Sequence, residues 1–277
     1  MADTAVKRVG GKIKLRKWIK SHLPHHTIYC EPFGGSFAVG LIADAERLVY
    51  NDLDAHIYNF FKTVRDHKEK FTEKVRLTPY SRLEFEKACE IINDDSKPWL
   101  KLDPIEWARL YLVFNRQSFA GKEDESWCTS KEGENIAHTW KDLDSIIYKT
   151  SDKLRNAFIE NLDYRKLFKK WDTPYTCFYI DPPYLDVEAD YYNANKKDGF
   201  DHVALANAIK DLSGSVVISY YDSDYIRGLY PNFNIVSKEV VKHMQTKEEK
   251  DKATEILLIK SSDWSKSFDK VNEEDIM

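Results

Sequence analysis

Seven short apolar or β-branched runs punctuate the chain, and their spacing restricts the fold more than any other feature. They cover about Ile28–Cys30, Leu48–Tyr50, Ala157–Ile159, Cys177–Ile180, Val216–Tyr220, Phe233–Val240 and Glu255–Lys260. Helical patterns alternate with several of them. Lys12–Ser21 carries Ile13, Trp18 and Ile19 among its cations, and Asp54 can cap a helix bearing Ile57, Phe60, Phe61 and Val64. Asp201 can cap another bearing Leu205, Ala206 and Ile209. Strand–helix alternation predicts an α/β fold with a mostly parallel sheet of about seven strands. The last two runs lie too close together for a crossover helix, so an antiparallel edge is expected.

Between Arg65 and Ser151 the strand signals vanish. Ser81–Ile92 and Pro104–Asn115 read as helices, the second with Asp103 as cap and Pro104 in the first turn. The polar stretch Gly121–His138 is expected to be loop. Residues 66–150 therefore read as a helical insertion, and residues 1–65 and 151–277 as one discontinuous sheet domain.

Composition excludes several classes. With 42% hydrophobic and 13% aromatic residues, the 277-residue chain has ample material for a core. No apolar run approaches the ~20 residues of a membrane span, and Met1 to Lys20 holds no signal-like apolar region. Cys30, Cys89, Cys128 and Cys177 contain no C-x-x-C pair, which reads as reduced thiols in a cytoplasmic protein. The eight histidines form no H-E-x-x-H pattern, and no metal is expected. The net charge of −4 argues at first against a polyanion partner. Residues 1–30, however, hold seven Lys or Arg against Asp3 alone, a charge of +6 that leaves −10 for the rest. A basic end on an acidic body is compatible with nucleic acid, and equally with a solvated lysine-rich helix.

Three motifs follow strands. Phe178-Tyr179-Ile180 runs into Asp181-Pro182-Pro183-Tyr184, where open α/β sheets bind ligands. Pro-Pro removes two backbone donors, Asp181 and the carbonyls accept hydrogen bonds, and Tyr184 offers a flat face. Such a group suits a planar substrate with an exocyclic amine, although a plain Pro-rich strand stop looks the same in isolation. Glu31-Pro32-Phe33-Gly34-Gly35-Ser36 follows the first strand, and its glycines permit close approach to a ligand before a helix expected from Ser36. It is not G-x-G-x-x-G, which disfavours a nicotinamide dehydrogenase. Asn51-Asp52-Leu53-Asp54 follows the second strand. Asp52 is placed to accept from ribose hydroxyls, and Asp54 to cap a helix.

These motifs resemble the Dam-like (D12-type, alpha-group) adenine-N6 DNA methyltransferases, and the resemblance runs from about Lys7 to Lys260. Gly10-Gly11-Lys12 resembles the family's G-G-K element, and Glu31-Pro32-Phe33-x-Gly35 its E-P-F-x-G cofactor loop. Asn51-Asp52 resembles the ribose acid, and Phe114-Asn115-Arg116-x-x-Phe119 the F-N-R-x-x-F segment. Asn161-Leu162-Asp163-Tyr164 resembles the element that brackets the cofactor adenine, and Asp181-Pro182-Pro183-Tyr184 matches the catalytic tetrad in full. The chain departs from the family at Arg8, where an aromatic is usual, and at Phe37, where another glycine is common. It departs again at Ala120-Gly121-Lys122-Glu123-Asp124, where GATC-specific members continue N-G-x-x-R-Y-N.

The resemblance implies a Rossmann-like class I sheet with a helical target-recognition insertion, and S-adenosylmethionine (AdoMet) as cofactor. Gly11, Lys12, Glu31, Pro32, Phe33, Gly35, Asp52, Asp163, Tyr164 and Asp181 are then expected at the cofactor, and Asp181, Pro182, Pro183 and Tyr184 at the reacting adenine. Arg8 and Lys14 in the basic end, with Asn115 and Arg116 in the insertion, are expected to grip double-stranded DNA. A monomer or weak dimer without membrane or metal is expected, in a restriction-modification setting or outside one. An RNA adenine or cytosine-N4 methyltransferase and a noncatalytic DNA-binding module are the rival readings. The missing Pro-Cys pair argues against cytosine-C5 chemistry, which needs a thiolate nucleophile.

Overall fold

The structure is a computed structural model that describes residues 4–8, 10–118, 126–129, 135–184, 199–241 and 252–274. Each apolar run forms a strand: β1 (Ile28–Glu31), β2 (Arg47–Asn51), β3 (Ala157–Glu160), β4 (Thr176–Ile180), β5 (Ser215–Tyr221), β6 (Asn234–Val241) and β7 (Lys252–Lys260). They make one seven-stranded sheet in the order β3-β2-β1-β4-β5-β7-β6. The first five are parallel, while β7 runs antiparallel to both β5 and β6. The antiparallel pair is therefore as expected, with the later strand inside. Ile256, Leu257 and Leu258 of β7 are fully buried, whereas β6 carries exposed Lys238 and Glu239, charges that suit an open edge.

The chain leaves β1 toward β2 and β3, then returns to place β4 on the other side of β1. Successive connections thus diverge between β1 and β4, and that divergence opens a crevice at the carboxyl ends of the strands.

Alternation along the central strands feeds two cores. Tyr29, Tyr50, Tyr179 and Val217 face one side; Cys30, Val49, Phe178 and Val216 face the other. A turn of 3₁₀ helix at Lys12–Lys14 leads into α1 (Arg16–Lys20), within the expected basic helix. The first core is covered by α2 (Ala55–Asp66), α3 (Lys68–Arg76), α4 (Arg82–Ile92), α5 (Pro104–Gln117) and α7 (Leu143–Leu154), with the short α6 (His138–Lys141) ahead of α7. The second is covered by α8 (Tyr164–Trp171), α9 (His202–Lys210) and α10 (Asp224–Leu229). A last helix, α11, spans Asp263–Glu274.

The expected caps are present. Asp54 accepts from the His56 amide at 2.8 Å, Asp103 from Ile105 at 3.0 Å and Asp201 from Ala204 at 2.8 Å. Helix α5 is buried without a break from Ala108 to Gln117, so it is a core helix and not an amphipathic one. Of the expected loop at 121–138, residues 121–125 and 130–134 lie outside the described residues, as do Phe119 and Ala120. Trp127 pairs with Ser118 in an isolated antiparallel bridge.

The helix expected from Ser36 does not form. Residues 36–42 make a chain of turns, with Phe37 N–H donating to the Gly34 carbonyl at 2.7 Å. The cause is Phe37 itself, whose φ of 57° is left-handed while its ring is fully buried against Tyr50 and Phe61. A bulky L-residue at that φ is strained, which explains why glycine is common at this place in the family that the motifs resemble. Phe37→Gly would relieve ~1–2 kcal/mol of strain and lose ~3–5 kcal/mol of buried ring. The expected net effect is destabilisation by ~2–3 kcal/mol, read from the urea midpoint; a gain in stability would contradict the burial argument.

Candidate active site

The carboxyl ends of β1, β2, β3 and β4 open into a cavity of about 1500 Å³. That exceeds the ~300–1,000 Å³ typical of one small ligand and leaves room for two reactants side by side. Among the expected cofactor residues, Gly11, Lys12, Glu31, Pro32, Phe33, Gly35, Asp52, Asp163, Tyr164 and Asp181 all line it. Seven carboxyl side chains meet four Lys or Arg on the wall. Such a surplus favours a cation over a phosphate.

One buried amide aligns the strand ends. Asn51, the last residue of β2, donates to the carbonyls of Pro32 (2.8 Å) and Leu162 (3.0 Å) and accepts from the Leu162 amide (2.8 Å). The loops after β1 and β3 are thereby fixed to β2. Gly34 adds a second link, its amide donating to the Asn51 carbonyl at 2.7 Å. A Cβ on Gly34 would meet the Tyr50 ring at 2.3 Å, so only glycine lets this loop lie so close to β2.

Asp52 follows directly and projects into the cavity. Its carboxylate accepts from the Gly35 amide at 2.9 Å and from the Asp54 amide at 2.9 Å. Burial raises its pKa, opposed by the nearby Arg8. On the opposite wall Asp163 caps α8 (Arg165 N–H at 3.0 Å), and Tyr164 packs against Phe33 with ring centres 5.6 Å apart. An aromatic wall beside a carboxylate suits a purine and its ribose.

The charged centre lies at the end of β4. The Lys12 ammonium is 6% exposed and lies 2.9 Å from Asp181 and 3.5 Å from Glu255, while donating to the Gly10 carbonyl at 3.0 Å. It also sits 4.6 Å above the centre of the Tyr184 ring. Asp181 accepts from the Ser219 hydroxyl at 3.0 Å, and Ser219 is bonded in turn to Tyr179 at 3.0 Å. Tyr184 donates to Glu255 at 2.6 Å. Glu255 and Ser219 were not among the expected site residues. A glutamate opening an apolar strand looks like a solvent-facing start, and a serine inside β5 looks like packing.

A model of the D12 class of N6 adenine-specific DNA methyltransferases matches residues 9–244. The chain belongs to this family. It is similar to the Retron Ec67 DNA adenine methylase of Escherichia coli, 26% identical over 243 residues that cover 83% of this chain and 81% of that one. It is also similar to the DNA adenine methylase of Haemophilus influenzae, at 24% identity over 92% of each chain. A Type II methyltransferase of Lactococcus lactis subsp. cremoris matches at 26% over 91% of this chain and 93% of its own. Methylation of DNA adenine at N6 is thus the activity of this methyltransferase.

Of the residues expected at DNA, Asn115 and Arg116 are buried in this structure. Asn115 is fully buried, and its amide clamps the backbone of Lys7, donating to the carbonyl at 2.8 Å and accepting from the N–H at 2.8 Å. Arg116 is 3% exposed, and burial lowers its guanidinium to about 10. Both sit in the buried stretch of α5, where Asn115 holds the N-terminal segment and neither side chain is exposed. Arg8 pairs with Asp54 at 2.9 Å and lines the cavity. Lys14 is exposed. Among the described residues no His, Cys, Asp or Glu group is arranged to hold a metal, and no helix is long and apolar enough to cross a membrane.

Glu31 supplies a pH test. It is buried at the end of β1, accepts from the Tyr29 hydroxyl at 2.5 Å and the Gly40 amide at 2.6 Å, and burial raises its carboxyl from an ordinary 4.5 to about 8. Between pH 4.5 and 8 the folded chain holds this proton and the unfolded chain does not. Its contribution to stability is therefore full below the lower value and falls as pH rises, by at most ~1.4 kcal/mol per unit. Glu31→Gln, which mimics the protonated form, should match the parent's stability near pH 5 and exceed it near pH 8. Urea unfolding at the two pH values checks this, and a pH-independent difference would contradict it.

Proposed function

We propose that this methyltransferase uses AdoMet to methylate N6 of an adenine flipped out of double-stranded DNA at a short specific sequence. The observation that carries the reading is the position of Asp181, Pro182, Pro183 and Tyr184 at the end of β4, next to a carboxylate-rich cavity large enough for two ligands. The residues present fit the cofactor. Asp52 offers acceptors for ribose hydroxyls, the Tyr164 and Phe33 rings flank an adenine, and surplus acid suits a sulfonium and an ammonium. When bound, AdoMet supplies an electrophilic methyl group.

The adenine N6 lone pair is delocalised into the ring, so the amine is a weak nucleophile. Asp181 and the Pro182 carbonyl accept its two hydrogens and draw the nitrogen toward sp³ geometry, in line with the methyl. Pro-Pro has no N–H to compete for these acceptors. Tyr184 stacks on the base, which must leave the duplex to reach the site. No covalent intermediate forms.

Residues 1–65 and 151–277 serve as the catalytic domain in this reading, because the seven strands of the described residues come from those arms. Residues 66–150 serve as the target-recognition insertion, and the exposed cations of the N-terminal helix, Lys14 among them, contact DNA phosphates. The segment at 120–124, outside the described residues, lacks the sequence of GATC-specific members, and a different target is proposed. The four cysteines are free and buried, which supports a reducing, cytoplasmic setting.

Mapping of N6-methyladenine on DNA incubated with the protein and AdoMet tests the function, with RNA as a parallel substrate. Methyl-adenine at one recurring DNA sequence is expected; methyl on RNA alone would overturn the reading. Asp181→Ala should cut transfer by at least ~100-fold, as loss of an oriented group at a reacting centre does, while AdoMet binding survives. Full activity would sink the role. Asp52→Ala should weaken AdoMet binding by ~10-fold or more by calorimetry, since hydrogen bonds to a charged acceptor are lost. Unchanged affinity would refute the ribose assignment.

A further inference from the structure

Glu255 is a buried carboxylate, 2% exposed, that the transfer chemistry above does not use. It stands near the start of β7, and in the antiparallel β5–β7 ladder it faces Tyr221, the last residue of β5. Only an antiparallel strand could bring so early a position to the ligand edge of the sheet. There it accepts from the Tyr184 hydroxyl at 2.6 Å and lies 3.5 Å from the Lys12 ammonium. Lys12 itself is closer to Asp181, at 2.9 Å, on the same carboxylate oxygen that accepts from Ser219.

This arrangement poses a problem for the reaction. The carboxylate that must receive the adenine amine already holds an ammonium on one of its two oxygens, and its charge is shared with that ammonium. A buried ammonium released without a partner would be costly. A second carboxylate within about one ångström of the needed shift removes that cost. Burial raises the Glu255 pKa, opposed chiefly by Lys12, with which it already forms the longer of two ion pairs.

We propose that Glu255 is a positioning residue for methyl transfer: it takes the Lys12 ammonium from Asp181 as the target amine arrives, and it holds the Tyr184 ring by its hydroxyl meanwhile. The exchange rests on the reading of Asp181 as acceptor for the amine. No bond to carbon is made or broken by it; the ammonium keeps its three protons and changes only its counter-ion.

Two substitutions separate charge from shape. Glu255→Gln keeps the length and an acceptor for Tyr184 but loses the charge, whereas Glu255→Asp keeps the charge and loses a methylene. Single-turnover methyl transfer at saturating AdoMet and DNA is expected to fall by about 10-fold or more in Glu255→Gln and to be faster in Glu255→Asp than in Glu255→Gln. A purely structural glutamate gives the reverse order, because the amide is the closer mimic of its shape. A Glu255→Gln rate equal to or above that of Glu255→Asp therefore overturns the proposal. Asp181→Asn is measured alongside. If it is fully active, the reading of Asp181 itself fails; if it is inactive while Glu255→Gln transfers at the parent rate, only the role of Glu255 fails.

Discussion

The side-chain amide of Asn51 is the interaction on which the ligand edge depends. Parallel strands end in separate loops, and nothing in the sheet ladder fixes those loops relative to one another. Asn51 uses both donors of its NH₂ and its oxygen to tie the loops after β1 and β3 to the end of β2. An isosteric aspartate would lack the two donors and leave the Pro32 and Leu162 carbonyls facing a negative charge. Because Asp52 is the next residue, the same clamp sets where its carboxylate points. Position and chemistry are coupled within one dipeptide.

Charge then divides the cavity into two zones. Around Asp52 the acids are neutralised by backbone amides and Arg8, which leaves a polar wall that can accept from hydroxyls. Around Asp181 the acids face Lys12 and the ring of Tyr184. Two carboxylates share one ammonium there, so the cluster carries a surplus negative charge when both are ionised. Opposite charge from a cationic ligand would relieve that surplus. Glu31, protonated near neutral pH through burial, adds hydrogen bonding without further repulsion.

Local chemistry was legible in the sequence, and long-range chemistry was not. All seven strands and the caps at Asp54, Asp103 and Asp201 follow from period, spacing and residue type, because each depends on neighbours a few positions away. The motif after β4 was legible for the same reason, and the family resemblance supplied roles that spacing alone does not. Glu255 could not be found that way. It meets Tyr184 across 71 positions, and its value comes from the insertion of β7 between β5 and β6. Phe37 misled in the opposite direction: a Gly-Gly-Ser turn normally opens a helix, but a fully buried ring held at positive φ bends the backbone into turns instead. Asn115 and Arg116 were expected at DNA from the resemblance, whereas α5 is buried from Ala108 to Gln117.

The N-terminal charge shows how far a segment sum can overstate a surface. Its seven cations give +6 over thirty residues, yet several of them are paired with acids of the same fold. Lys12 is committed to Asp181, Arg8 to Asp54, and Lys20 to Asp44 at 2.6 Å. The Lys7 backbone is held by Asn115, and burial lowers the pKa of its ammonium. Lys14 and Lys17 are the exposed cations of this stretch among the described residues. The basic end is therefore in good part an element of the cavity wall, to which it contributes Arg8, Gly10, Gly11 and Lys12. The net charge of −4 is thus a poor guide to the surface this segment presents, because Lys12 and Arg8 are paired with carboxylates of the cavity.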